Sequence, residues 1–244
     1  MLAQVLAYSL IPVVASFAGG VIAAFWPPTP TVRSVIQHFT AGIVFSAAAL
    51  ELMPDIRAQS PIVAIVGFAV GITVLLIMRR IIAAVEGTTT NDPQGFERAV
   101  TTANTGLMVV TGVDILIDGL VLGTGFAAGA KIGVLLTIAL TLEFLFLGLS
   151  VAATRAGVTR RLRLILETGG LGLLVVVGAM LGYVVLGHVS AAILAGVLAF
   201  GAVALMYLVT EDLLVEAHHV PDTGWAVALF CIGFLVFLVL DELM

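Results

Sequence analysis

The sequence predicts an all-α integral membrane protein with eight transmembrane helices and both termini outside the cytoplasm. Three observations point to it. The 244 residues are 61% hydrophobic and 10% charged, with a mean hydropathy of +1.23, whereas soluble domains carry about 25% charged residues. Apolar runs long enough to cross a bilayer recur along the chain, separated by short polar or proline-rich breaks. Basic residues gather in alternate breaks.

A membrane helix needs about 20 mostly apolar residues, and the runs fall at roughly 3–26, 34–54, 61–84, 103–126, 131–154, 164–186, 189–215 and 223–242. The first, "MLAQVLAYSLIPVVASFAGGVIAAFW", lacks a basic leader and exceeds a signal-peptide core, so it is read as a retained span. "PPTPTVR" ends it, and span two then closes on "ALELMPD", with Glu51 and Asp55 near the outer surface. Span three stops at a polar stretch, 85–102, expected as a cytoplasmic loop. Spans four and five meet across "AGA" as a tight antiparallel hairpin. "RAGVTRRLR" precedes span six and "GH" follows it. Span seven ends "VTEDLLVEAHH", bringing Glu211, Asp212, Glu216, His218 and His219 toward the cytoplasm. "AHHVPDTG" leads into span eight. Spans two and seven share the loose pattern "AGIVFSAAALELMPD" against "AGVLAFGAVALMYLVTED", consistent with an inverted repeat relating the outer thirds of the chain.

Orientation follows from charge. With the N-terminus outside, the inner breaks hold Arg33, Arg79, Arg80, Arg98, Arg155, Arg160, Arg161 and Arg163, and the outer side only Arg57 and Lys131. The single cysteine, Cys231, excludes an intrachain disulfide and reads as a packing residue. His38 and His188 sit near span ends and read as interfacial.

The chemistry lies in "TGVDILIDGLVLG", where Asp114 and Asp118 stand one turn apart on one helical face. Glu143 falls at the same depth on span five, the hairpin partner of span four. A carboxylate at mid-bilayer costs about 2.5–3.5 kcal/mol on the mildest scale, and no basic residue lies deep in these spans. A bound cation is the simplest way to neutralise three such groups. Asp114, Asp118 and Glu143 are therefore the candidate metal ligands. Glu51 and Asp55 stand at the entrance of an acidic path, and Glu211, Asp212 and Glu216 at its exit. The glycines of "GTGFAAGAKIG" read as sites of close helix packing.

These motifs resemble the ZIP (Zrt/Irt-like) metal transporters over nearly the whole chain. The fourth-span motif of that family, His-Asn-x-Pro-Glu-Gly, corresponds to "DILIDG", the fifth-span motif to "EFLFLG", and the second-span ending to "LELMPD". Asp114 and Glu143 stand at the two histidine positions and Asp118 at the glutamate. Ile115, Phe144 and Leu147 occupy positions that ligate a second metal, so at most one site remains, built of carboxylates. The resemblance implies a homodimer and an elevator in which spans one, four, five and six move against two, three, seven and eight.

A carboxylate set suits harder ions: Mn²⁺ or Fe²⁺, with Zn²⁺ admitted and Mg²⁺ or Ca²⁺ compatible. The resulting expectation is a divalent-cation transporter in the plasma membrane of a prokaryote. It has lipid and the metal substrate as partners, no nucleic acid and no resident cofactor. The rival expectation is a ZIP-like carrier of a proton-coupled small solute, its metal site degenerate, since apolar residues at former ligand positions make a drier pocket. An intramembrane hydrolase is disfavoured, because the Gly-x-Gly-Asp, His-Glu-x-x-His and Gly-x-Ser-x-Gly patterns are all missing. The sole lysine, Lys131, lies at a span end, which argues against a retinal pigment.

Overall fold

The structure, a computed structural model, describes residues 2–86, 105–155, 161–218 and 224–244. Eight of its helices are long and apolar enough to cross a membrane. They are α1 (Leu2–Phe25), α2 (Pro30–Arg57), α3 (Pro61–Glu86), α4 (Thr105–Ala128), α5 (Ala130–Arg155), α6 (Arg161–Leu186), α7 (Ala191–Ala217) and α8 (Gly224–Leu243). The expected cytoplasmic loop past Glu86 and His219, expected toward the cytoplasm, lie outside the described residues, as do the side chains of Arg98, Arg155, Arg160, Arg161 and Arg163.

Local chemistry sets the helix starts. The Thr29 side chain accepts from the Val32 N–H at 3.4 Å, and Pro30 takes the first helical position, where its missing N–H matters least. Helix α2 therefore begins inside "PPTPTVR", four residues before the apolar run. Ser190 caps α7 in the same way, accepting from Ile193 N–H.

Helices α2 and α7 are not regular throughout. Each has a π-turn late in its course, at Ala48–Leu52 and Leu208–Leu213. In α2 Pro54 cannot donate to the carbonyl four residues back, which loosens that turn. In α7 the Thr210 hydroxyl donates to the Met206 and Tyr207 carbonyls at 3.0 and 3.2 Å, competing with the helix ladder. Glu51 lies in the first π-turn, and Glu211 and Asp212 lie in the second.

Packing divides the bundle into two groups. Helices α1, α4, α5 and α6 associate mainly among themselves, as do α2, α3, α7 and α8. The groups meet chiefly where α2 crosses α5 and α4 crosses α7. Every strong partnership has a counterpart: α1–α5 matches α4–α6, α2–α8 matches α3–α7, and α2–α5 matches α4–α7. These pairs interchange when α1, α2, α3 and α4 are exchanged with α6, α7, α8 and α5. The π-turns of α2 and α7 obey the same exchange, which is the pattern of an inverted repeat.

Glycine makes these crossings close. A methyl group at Gly119 or Gly123 of α4 would collide with the Val175 or Ala179 carbonyl of α6, and one at Gly178 with Leu116 of α4. Gly19 and Gly148 join α1 to α5 in the same fashion, and Gly42 and Gly233 join α2 to α8. Without a hydrophobic drive between helices in lipid, such backbone approach supplies the packing. Helices α2 and α5 are the most enclosed, α3 and α8 the least. Cys231 is exposed on α8 and is not the packing residue expected, because the buried face of α8 is the one that turns Gly233 and Phe237 toward α2.

Candidate functional site

Asp114 and Asp118 straddle the middle of α4, and Glu143 sits at the middle of α5. Asp118 and Glu143 are buried, at 4% and 5% exposure, and Asp114 is half-buried. The carboxyl groups of Asp118 and Glu143 lie within electrostatic reach of each other, and Glu143 Oε2 is buried without a partner. Asp114 lies within electrostatic reach of both. The α4–α5 hairpin thus brings the three predicted residues into one neighbourhood.

Asp212 joins them. Its carboxyl interacts electrostatically with Asp114, Asp118 and Glu143, because α7 crosses α4 just ahead of the π-turn. Tyr207, one turn earlier, also senses Asp114 and Asp212. The expected exit residue Asp212 is therefore a neighbour of the central trio.

The other expected exit acids are engaged by arginines. Glu211 pairs with Arg79 of α3 at 3.0 Å, both partly exposed. Glu216 pairs with Arg33 of α2. The Ser150 hydroxyl of α5 donates to Glu216 Oε1 at 2.7 Å and accepts from Arg33 Nη2 at 3.1 Å. That cluster ties the two helix groups at one end of the bundle. His38, expected as interfacial, is instead 2% exposed, its ring 5.2 Å from that of His218 and its Nδ1 against the Ser34 carbonyl at 2.8 Å. Antiparallel packing of α2 on the end of α7 covers it, which a single-helix reading does not reveal.

At the opposite end Glu51 is buried at 5% exposure, with Asp241, Lys131 and Asp55 as its charged neighbours. Asp241 and Lys131 were not singled out in the sequence as parts of this site. The only available signals were a lone lysine at the start of one span and the "DE" pair closing another.

Ile115 and Phe144 are among the largest fully buried side chains, and Leu147 is half-buried. They fill core space and cannot ligate. Among the described residues, no three Asp, Glu, His or Cys side chains converge as a ready metal-binding group. The ion pairs among the described residues lie at the two ends of the bundle, and none reaches the trio.

This architecture defines a multi-pass, all-helical protein of the membrane type with an acidic centre. No family profile matches the chain, and no curated protein sequence matches it.

Proposed function

We propose that the chain is a ZIP-like transporter that carries a divalent metal cation across the plasma membrane, through Asp114, Asp118 and Glu143. The carrying observation is three carboxylates gathered at mid-depth on α4 and α5 with no arginine or lysine among the described ion pairs to balance them. Buried ionisable groups in membrane spans mark ion pathways far more often than packing.

Two features support alternating access of the elevator type. The trio belongs wholly to the group α1, α4, α5 and α6, so an ion held there would travel with that group. The opposing group presents Asp212 to one side of the trio and the Glu51 cluster to the end at Lys131. With both termini outside, the Lys131 end is the outer face and the Arg33 end the cytoplasmic one. An all-oxygen ligand set favours Mn²⁺ or Fe²⁺ and admits Zn²⁺, Mg²⁺ or Ca²⁺. A homodimer in a prokaryotic plasma membrane completes the reading, by resemblance to ZIP proteins.

The test is uptake by purified protein in liposomes. Asp114→Asn and Glu143→Gln are expected to abolish flux of the carried ion, and unchanged flux of every divalent ion in both variants removes the assignment. A second reading, a proton-coupled carrier of a small solute, draws on the Asp118–Glu143 proximity and on the apolar Ile115 and Phe144 beside it. Elemental analysis and thermal stabilisation by a panel of divalent ions separate the two.

A further inference from the structure

The Lys131 end of the bundle holds charges that the central trio does not use. Lys131 is the only lysine in the sequence. Its ammonium, at the start of α5, makes an ion pair with Asp241 Oδ1 at 2.8 Å and donates to the Asp241 carbonyl at 2.8 Å. The Asp241 carboxyl adjoins Glu51 on the π-turn of α2. Glu51 is buried, and its Oε1 has no hydrogen-bond partner. Glu51 and Glu242 of α8 add to the negative field around the same ammonium, and Asp55 of α2 to that around Glu51.

Three acids, Asp241, Glu51 and Glu242, thus act on a single ammonium. An unpartnered buried carboxylate oxygen is costly and calls for a cation or a donor. Lys131 satisfies Asp241 directly, but the Glu51 Oε1 atom is left over. An ammonium is a compact point charge on a flexible stem, and the Lys131 side chain is 46% exposed, so it can leave without dragging the backbone. A divalent cation concentrates twice the charge and takes oxygen ligands from several carboxylates at once. It would engage both Glu51 and Asp241, where the ammonium holds only Asp241.

The position of the lysine adds a structural consequence. Helix α5 belongs to the group that carries the central trio, whereas α2 and α8 belong to the other. The Lys131–Asp241 pair therefore ties the two groups together at this end, opposite the Arg33–Ser150–Glu216 tie. Sliding one group past the other requires its release.

We propose that Lys131 is a built-in counter-ion of the acidic cluster at this end, and that a divalent cation binds between Glu51 and Asp241 by displacing it. Displacement frees α5 from α8, so arrival of the ion and unlocking of the moving group are one event. The inference rests, for its purpose, on the cation-carrier reading.

Because Lys131 is the sole lysine, its release can be read chemically. Purified protein is treated with a water-soluble amine-acylating ester, and the Lys131 peptide is followed by mass spectrometry while MnCl₂ is titrated against choline chloride at equal ionic strength. Manganese is expected to speed acylation of Lys131 several-fold and choline to leave it unchanged. Asp241→Asn is expected to show the fast rate without metal, and Glu51→Gln to lose the manganese response while keeping the slow rate. A Lys131 rate indifferent to manganese overturns the proposal, and so does equal acceleration by choline, which would be charge screening only. Flux in liposomes without a manganese response at Lys131 removes the counter-ion role and leaves the carrier intact. A manganese response in protein that carries no ion supports the Glu51–Asp241 site and removes the carrier.

Discussion

Binding of a divalent ion to the central trio should expel one proton. Two neighbouring carboxyls buried away from water and from any base cannot both stay ionised while no cation is present, and both must be ionised to ligate. Over the pH range in which the pair keeps that proton, lowering pH by one unit should weaken the apparent affinity about tenfold, or about 1.4 kcal/mol. The sign is fixed, because acid favours the protonated pair and opposes the ion. Two pH units therefore separate tight from weak binding by about 100-fold. Titration calorimetry of Mn²⁺ in buffers of different ionisation enthalpy reads the released proton directly. Glu143→Gln removes the shared proton, so its weaker binding should lose most of the pH slope. An ion that binds wild-type protein with no proton released, or with the same slope in Glu143→Gln, refutes the assignment of Asp118 and Glu143 as a proton-sharing ligand pair.

The flux test of Asp114→Asn and Glu143→Gln and the acylation of Lys131 stand beside this. Gly119→Leu should destabilise the bundle by more than the 1–3 kcal/mol typical of overpacking, about what one extra methylene costs, because its side chain must enter the Val175 backbone. The fraction of monodisperse protein after heating measures this, and the partly exposed Val113→Leu on the same helix serves as the neutral control. Glu216→Gln should weaken the tie among Arg33, Ser150 and α7 and lower stability by about 1–3 kcal/mol, in line with loss of a charged hydrogen-bond partner. Chemical denaturation in detergent reads that loss, and stability equal to wild type would show the cluster to be a solvated surface pair.

Much of the fold was legible because its signals are local. Hydrophobic run length marks a span wherever it occurs, and proline or charge marks its end, so the eight spans could be placed before any packing was known. The mid-depth position of Asp114, Asp118 and Glu143 follows from counting along two helices joined by a short hairpin. The π-turns were not legible as such. Pro54 and Thr210 are their causes, but both residues occur in ordinary helices too. The burial of His38 was also hidden, since it depends on which face of α2 receives the end of α7.

The charge ties show the boundary most clearly. Lys131 and Asp241 are 110 residues apart, and Arg33 and Glu216 are 183 apart. Nothing in either segment names its partner, because pairing depends on how the helices cross, and those crossings are set by glycines distributed over six helices. By itself the sequence determined what the solvent dictates: an apolar, helical, membrane-type chain with a few acids too deep to be incidental. Tertiary structure alone decided which acids stand together and which are held by a base. It moved Asp212 toward the centre, gave Glu211 and Glu216 to arginines, and set Lys131 beside Glu51. The physical reason is that partition into lipid is a property of each segment, whereas a charge's partner is a property of the packing.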